Sequence, residues 1–232
     1  MASESKSFLV RPQIHNQEAT EPYGRRRASD LTSPLEIGLV FSLIMLAVWT
    51  PMGRLDAVVN LSAAVAVLAV SLRGRYTADD LGLMRPASGV GVTLMAGACA
   101  VLIVAAGGLL TSKLGPAQLF PWHKAWQYAI WALVQEFILQ SVFYVRLEAV
   151  FGSARAVLLA ALLFATAHLP SPLLTALSFL GGLFFCELFR RYRNIFPLGL
   201  VHAALGLTIA ASLPDTWLHH MRVGIGYLTY HP

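Results

Sequence analysis

Charged residues are scarce in this chain, and hydrophobic residues are abundant. Of its 232 residues, 12% are charged and 56% are hydrophobic, whereas soluble domains carry roughly 25% charged residues. So few charges cannot coat a water-exposed surface, which excludes an ordinary soluble domain. Because a spanning helix needs about 20 mostly apolar residues, the sequence predicts an all-α fold, a polytopic transmembrane helix bundle that forms one membrane domain.

Cysteine is also scarce. The two cysteines, Cys99 and Cys186, lie inside apolar runs, where a small packing role is expected and a disulfide framework or thiolate metal pair is not. The net charge of +5 comes from Lys and Arg residues between the apolar runs, where they set membrane orientation. We therefore expect membrane lipid as a partner and no nucleic acid.

The apolar runs predict about seven spans and three regions. Residues 1–33 form a polar tail that lacks the apolar region of a signal peptide, residues 34–213 form the transmembrane domain, and residues 214–232 form a short C-terminal tail. No internal repeat is visible, so an inverted-repeat transporter gains no support. The predicted runs are 34–49, 57–72, 89–110, 125–145, 154–169, 173–189 and 195–213.

The basic residues predict the orientation of these spans. In a seven-span arrangement, the N-terminal side carries Arg25, Arg26, Arg27, Arg73, Arg75, Arg85, Arg146, Arg155, Arg190, Arg191 and Arg193. The opposite side carries Arg54, Lys113 and Lys124. Because basic loops stay in the cytoplasm, we expect a cytoplasmic N-terminus and an external C-terminus.

Polar residues inside the predicted spans are concentrated in the C-terminal half of the chain. They are Gln135, Glu136 and Gln140 in the fourth span, His168 at the end of the fifth and His202 in the seventh. Ionisable groups cost several kcal/mol in hydrocarbon, which makes each a functional hypothesis. One carboxylate and two imidazoles on neighbouring helices could hold and deprotonate a water and stabilise an oxyanion, as peptide hydrolysis requires.

Other interpretations of the same residues remain open. The Glu and the two His could be structural, with hydrogen bonds between helices, or could line a proton or ion pathway. They could also be three zinc ligands, since a Glu and two His form a known hydrolytic set. No HExxH spacing is present, and we expect neither metal nor cofactor.

Three motifs between about Trp131 and Leu207 resemble those of the CAAX prenyl protease 2 family, also called CAAX protease and bacteriocin-processing (CPBP), which are intramembrane glutamic endopeptidases. The first family motif, EExxxR, corresponds to QEFILQ, from Gln135 to Gln140. The second, FxxxH, is intact from Phe164 to His168. The third, HxxxN, corresponds to HAALG, from His202 to Gly206. The DLGL sequence at 80–83 resembles a weaker family feature.

The resemblance implies roles for only some positions. In the family, the first motif Glu and the FxxxH histidine activate water, and the third-motif His and Asn stabilise the oxyanion. His168 and His202 carry over, and Glu136 carries over as the second Glu. Gln135 replaces the first Glu and cannot act as a general base, Gln140 replaces the Arg, and Gly206 replaces the Asn, so this chain departs from the pattern in motifs one and three.

The expected function is that of an intramembrane glutamic-type endopeptidase. Glu136, His168 and His202 would be catalytic, and Gln135, Gln140, Phe164 and Gly206 would support them. The substrate would be a membrane-associated or lipid-anchored protein or peptide, in a bacterial or archaeal plasma membrane. The alternative is a catalytically silent relative that binds a membrane protein partner, and a transporter or channel comes third. Either Glu136 acts as the base, or the Gln residues mark altered or lost catalysis.

Overall fold

The chain folds into a helical bundle, examined in a computed structural model that describes residues 32–73, 76–111 and 122–230. The predicted N-terminal tail falls almost entirely outside these residues. The described part contains no strand. Its α-helices are α1 (Thr32–Trp49), α2 (Arg54–Leu72), α3 (Val90–Thr111), α4 (Trp122–Glu136), α5 (Val145–Phe151), α6 (Ser153–Thr166), α7 (Pro172–Tyr192), α8 (Ile195–Ser212), α9 (Asp215–Leu218) and α10 (Gly224–Leu228).

Five stretches of helix in the described residues are long and apolar enough to cross a membrane. They are Arg54–Leu72, Val90–Leu110, Lys124–Phe151, Pro172–Tyr192 and Ile195–Ser212. The other two predicted spans form shorter apolar helices, Ser33–Trp49 and Ser153–Thr166. The polytopic helical bundle is thus confirmed, while the total of seven spans stays a prediction.

The outer surface of the bundle is strongly apolar. On α3, Leu102 and Ile103 are 68% and 73% exposed, and on α2 Leu61 and Leu72 are also exposed. Exposed apolar surface on this scale is unfavourable in water and favourable against lipid chains. The protein is an integral membrane protein whose α2 and α3 present such faces outward.

Small residues bring the helices of the bundle close together. Gly182 on α7 lies against Ala161 of α6, where an added β-carbon would come 2.9 Å from the Ala161 Cα. Gly199 on α8 lies against the backbone of Leu133 on α4 in the same way, at 3.1 Å. In lipid there is no hydrophobic driving force for the association of helices. Helix pairs in membranes are therefore stabilised by close backbone contacts of this kind. These contacts fix α4, α6, α7 and α8 around one interior.

A π-helical segment, Phe137–Tyr144, joins α4 to α5 without a break. Its wide turns are stabilised by Arg146, whose Nη1 donates to the carbonyl oxygens of Ser141 and Val142 at 3.1 and 3.2 Å. Arg146 also pairs with Glu36 of α1, Nε to Oε2, at 2.8 Å. It is fully buried, so its assignment as a charge of a cytoplasmic loop was wrong: this charge holds the helices together.

The segment between α2 and α3 docks beneath the start of α8. The Asn194 side chain donates to the carbonyl oxygens of Pro86 and Ser88 and accepts from the Phe196 amide, which caps α8. Ser141 donates from its hydroxyl to the Leu81 carbonyl. These bonds tie residues 81–88, which include all but the first residue of the DLGL sequence, to the helices that carry the third and first motifs.

The residues after α8 fold back over the bundle. The Gly224 amide donates to the Leu169 carbonyl at 2.7 Å, which places this segment beside the turn that carries His168. The Tyr230 hydroxyl donates to Oδ2 of Asp215 at 2.7 Å, and this hydrogen bond raises the pKa of Tyr230. The C-terminal segment is therefore an ordered cover for one end of the interior.

Candidate active site

The two motif histidines face each other across one aromatic side chain. His202 lies in the middle of α8, and His168 lies in the turn that follows α6. The Phe164 ring makes edge contacts with both imidazoles, with centroid distances of 4.7 Å to His168 and 5.8 Å to His202. Phe164 thus sets the relative position of the two rings.

The proton on His168 is located by its backbone contact. Nδ1 lies 2.7 Å from the carbonyl oxygen of Phe164. A carbonyl oxygen can only accept, so Nδ1 carries the hydrogen, and Nε2 of the neutral ring is left as a hydrogen-bond acceptor. The half-buried His168 lines a large interior cavity, where this acceptor could bind a water.

His202 is held by a buried carboxylate. Its Nδ1 lies 2.8 Å from Oε1 of Glu136, and its ring stacks on Phe185 with a centroid distance of 5.2 Å and an interplanar angle of 15°. The carboxylate accepts from Nδ1, which leaves Nε2 of the neutral ring as an acceptor. A His oriented by a buried carboxylate is the arrangement that activates nucleophiles in hydrolases.

Both oxygens of Glu136 are used inside the protein. Oε1 meets His202, and Oε2 accepts from Nε2 of Gln140 at 3.0 Å. Glu136 is 0% exposed and does not contribute to the cavity wall. The two oxygens of the carboxylate thus contact His202 and Gln140, behind the cavity wall.

Gln135, the neighbouring residue, has different surroundings. It is half-buried and lines the same cavity as His168 and His202. Its amide offers both a donor and an acceptor there. Of these two adjacent residues of the first motif, Gln135 thus lies on the cavity wall and Glu136 lies behind His202.

The cavity has a volume of about 1340 Å³ and is mostly apolar. The polar residues in its wall include Tyr128, Gln135, His168 and His202, together with Thr50, Asp56, Asn60, Ser178, Arg222 and Thr229. A few convergent polar groups in an apolar cleft are typical of a site that binds and orients a substrate. The volume exceeds that of an ordinary small-molecule pocket, which suits an extended or lipid-bearing chain.

The structure also places the remaining motif residues. Gly206 is buried on α8, one turn after His202, and lies under the ring of Tyr128. Gln140 is fully buried and contacts Glu136 rather than the cavity. All the sequence-predicted site residues thus lie on the wall of this cavity or directly behind it. In residues 32–73, 76–111 and 122–230, no group of three His, Cys, Asp or Glu side chains could hold a metal ion.

Sequence reasoning missed Tyr128 and the role of Arg146. Tyr128 precedes Gln135 by seven residues, two helical turns, so the helical period places both on one face of α4. That spacing was a usable signal. For Arg146, the signal was its place within a long apolar stretch, where a charge is paired or functional.

Comparison with known proteins gives one match, which covers the helices that carry the site. The chain matches no curated protein and no solved structure. A family model described as "Rce1-like: Type II CAAX prenyl endopeptidase Rce1-like" matches residues 117–208. This range includes α4 to α7, most of α8 and all three motifs. The family match over residues 117–208 confirms the resemblance found in the three motifs.

Proposed function

We propose that this protein is an intramembrane endopeptidase that hydrolyses a peptide bond of a membrane-anchored substrate with water activated by the Glu136–His202 pair. The family match supports a CAAX protease-like activity in general. The observation that carries the finer proposal is the 2.8 Å hydrogen bond between the buried Glu136 and His202, which lines an apolar cavity.

Charge compensation favours His202 over His168 as the base. When Nε2 of His202 takes a proton, the resulting imidazolium lies beside the Glu136 carboxylate, and the pair is neutral. A protonated His168 would have the Phe164 carbonyl and aromatic ring as neighbours, which compensate a charge far less well. His168 instead accepts a hydrogen bond from the water and orients it.

The reaction then proceeds by ordinary acid–base steps. The water oxygen attacks the carbonyl carbon, and one water proton passes to Nε2 of His202. The imidazolium returns that proton to the amide nitrogen, the C–N bond breaks, and a carboxylic acid and an amine leave. Glu136 transfers no proton, because it orients His202 and stabilises the imidazolium.

The shape of the cavity supports a lipid-bearing substrate. A prenylated C-a-a-X sequence places an apolar chain next to the peptide bonds to be cut, and a largely apolar cavity of about 1340 Å³ could accept both. Such a substrate reaches the site from the membrane. In this proposal the N-terminus is cytoplasmic, an orientation that the distribution of arginines supports. The host membrane in this proposal is a bacterial or archaeal plasma membrane.

The test is cleavage of a farnesylated peptide with a C-terminal C-a-a-X sequence by the purified protein in liposomes, with products identified by mass spectrometry. We expect the wild type to release the terminal residues and His202→Ala to lose at least about 100-fold in rate. If the wild type binds the peptide and leaves it intact, the protein is a silent relative that binds a membrane partner, and the proposal is wrong.

A further inference from the structure

Tyr128 occupies the space that a side chain at position 206 would need. A β-carbon built on Gly206 would lie 2.6 Å from Cζ of Tyr128 and closer still to its hydroxyl oxygen. Contacts this short do not occur, so a side chain at 206 would displace the Tyr128 phenol from this position. The absence of a side chain on α8 is what lets the phenol of α4 reach this point.

This point lies on the catalytic side of α8. Gly206 follows His202 by four residues, so both lie on one face, one turn apart. Tyr128 precedes Gln135 by two turns on α4, and both line the cavity together with His168 and His202. The Tyr128 side chain thus lies on the cavity wall, against a residue that is about one turn of α8 from His202, the proposed base.

A phenol at this place has one chemical property that the histidines lack. Nε2 of neutral His168 and Nε2 of neutral His202 are both acceptors, as their Nδ1 contacts show. Attack of water on a carbonyl places negative charge on the carbonyl oxygen, which requires donors. The phenol keeps its proton at neutral pH and can therefore donate a hydrogen bond.

We infer that the Tyr128 hydroxyl donates a hydrogen bond to the oxyanion that forms at the scissile carbonyl, and that the absence of a side chain on Gly206 makes room for the phenol. This inference rests on the proposed function. No proton is transferred from Tyr128. The phenol of Tyr128 is positioned by its packing against Gly206 before the substrate binds, and donors positioned in advance are the most effective.

The first experiment measures kcat and KM of Tyr128→Phe with the farnesylated peptide in liposomes. We expect kcat to fall about 100-fold or more, the usual scale for one oxyanion donor, with KM changed by no more than about threefold because the ring remains. The matched control is Tyr192→Phe, a tyrosine at the end of α7 that does not line the cavity. It should keep wild-type kinetics.

A second pair of variants tests the packing argument. Tyr128→Ala removes both the donor and the obstacle to a side chain at 206. The double variant Tyr128→Ala/Gly206→Asn then adds an amide donor in the vacated space. We expect the double variant to exceed Tyr128→Ala in kcat by about tenfold. Equal rates for these two variants would contradict the view that a donor at this place is what matters.

A binding measurement separates this inference from the proposed function. The probe is a phosphinate analogue of the farnesylated peptide, whose anionic oxygens resemble the oxyanion. We expect Tyr128→Phe to weaken its Kd at least about tenfold and to leave the Kd of the uncleaved peptide, measured with His202→Ala protein, nearly unchanged. If the wild type cleaves the peptide and Tyr128→Phe cleaves it equally fast, the inference falls and the protease stands.

The reverse outcome is equally informative. If the wild type cleaves nothing but binds the phosphinate in a Tyr128-dependent way, the proposed function and the catalytic role of Tyr128 both fall, and only the contact of Tyr128 with an anionic oxygen stands. If neither cleavage nor Tyr128-dependent binding is found, both are wrong.

Discussion

Oε1 of Glu136 on α4 lies 2.8 Å from Nδ1 of His202 on α8, and both Glu136 oxygens are engaged within the protein. This single contact connects the first and third motifs. It gives the carboxylate a partner that can take up a proton, although the residue where the family has its first Glu is Gln135. In the proposed mechanism His202 takes the proton of the water, His168 orients the water, and Gln135 lies on the cavity wall beside them.

His168→Ala should lower the rate of peptide hydrolysis at least about 100-fold, because the variant loses the acceptor that orients the attacking water. His168→Gln, which offers an acceptor oxygen, should retain more activity than His168→Ala. The measurement is kcat for the farnesylated peptide, with a thermal unfolding midpoint to verify folding. Equal activity of wild type and His168→Ala would remove His168 from the mechanism.

Gln135→Glu tests where the base lies. Because His202 already has its carboxylate, we expect no gain in kcat from a second carboxylate on the cavity wall. A decrease is expected instead, since the new charge would repel the oxyanion. A gain of about tenfold or more would mean that the natural protein is a weakened relative whose base position is 135, and the assignment to Glu136–His202 would be withdrawn.

Much of this site could be predicted from the sequence, because motif spacing and helical period are local properties. The intact FxxxH motif and the i,i+4 spacing of Glu136 and Gln140 placed His168, His202 and Glu136 on neighbouring helices. The orientation of Glu136 behind His202 could not be predicted in this way. That orientation depends on how α4 packs against α8, in a contact between residues 66 positions apart, which a local helical pattern does not encode.

The packing of Tyr128 over Gly206 and the burial of Arg146 depend on contacts between helices far apart in sequence. Arg146 illustrates the difficulty, because an arginine near the end of an apolar run is equally compatible with a loop charge and a buried ion pair. Only the position of Glu36 on α1, 2.8 Å from Arg146, decides between them.

Arg146→Met should destabilise the fold by about 3–5 kcal/mol, the scale for removing one partner of a buried ion pair. The measurement is the unfolding midpoint in a mild detergent. Arg190→Met, which removes a partly exposed partner of Glu187, is the matched control and should change stability by about 1 kcal/mol or less. If the two variants unfold alike, Arg146 is not a structural anchor.

Chelation should leave peptide hydrolysis unchanged. The mechanism uses only side chains, so we expect the same kcat with and without 1,10-phenanthroline, and no stoichiometric zinc in the purified protein by elemental analysis. Zinc at one equivalent, with activity lost on its removal and restored with it, would overturn this prediction and return Glu136, His168 and His202 to the role of ligands.

The most direct test of the mechanism is the hydrolysis rate of Glu136→Gln beside that of Glu187→Gln, with the farnesylated peptide in liposomes. Gln keeps the shape of Glu136, but its neutral amide cannot compensate the positive charge of the His202 imidazolium and can stabilise the wrong tautomer of His202. The same exchange at an equivalent carboxylate lowers kcat by about 10⁴-fold. Glu187 pairs with Arg190 and Arg191 near the end of α7, away from the cavity. We predict that Glu136→Gln folds and loses at least about 1000-fold in kcat while Glu187→Gln retains wild-type turnover; a Glu136→Gln protein as active as Glu187→Gln would contradict the account.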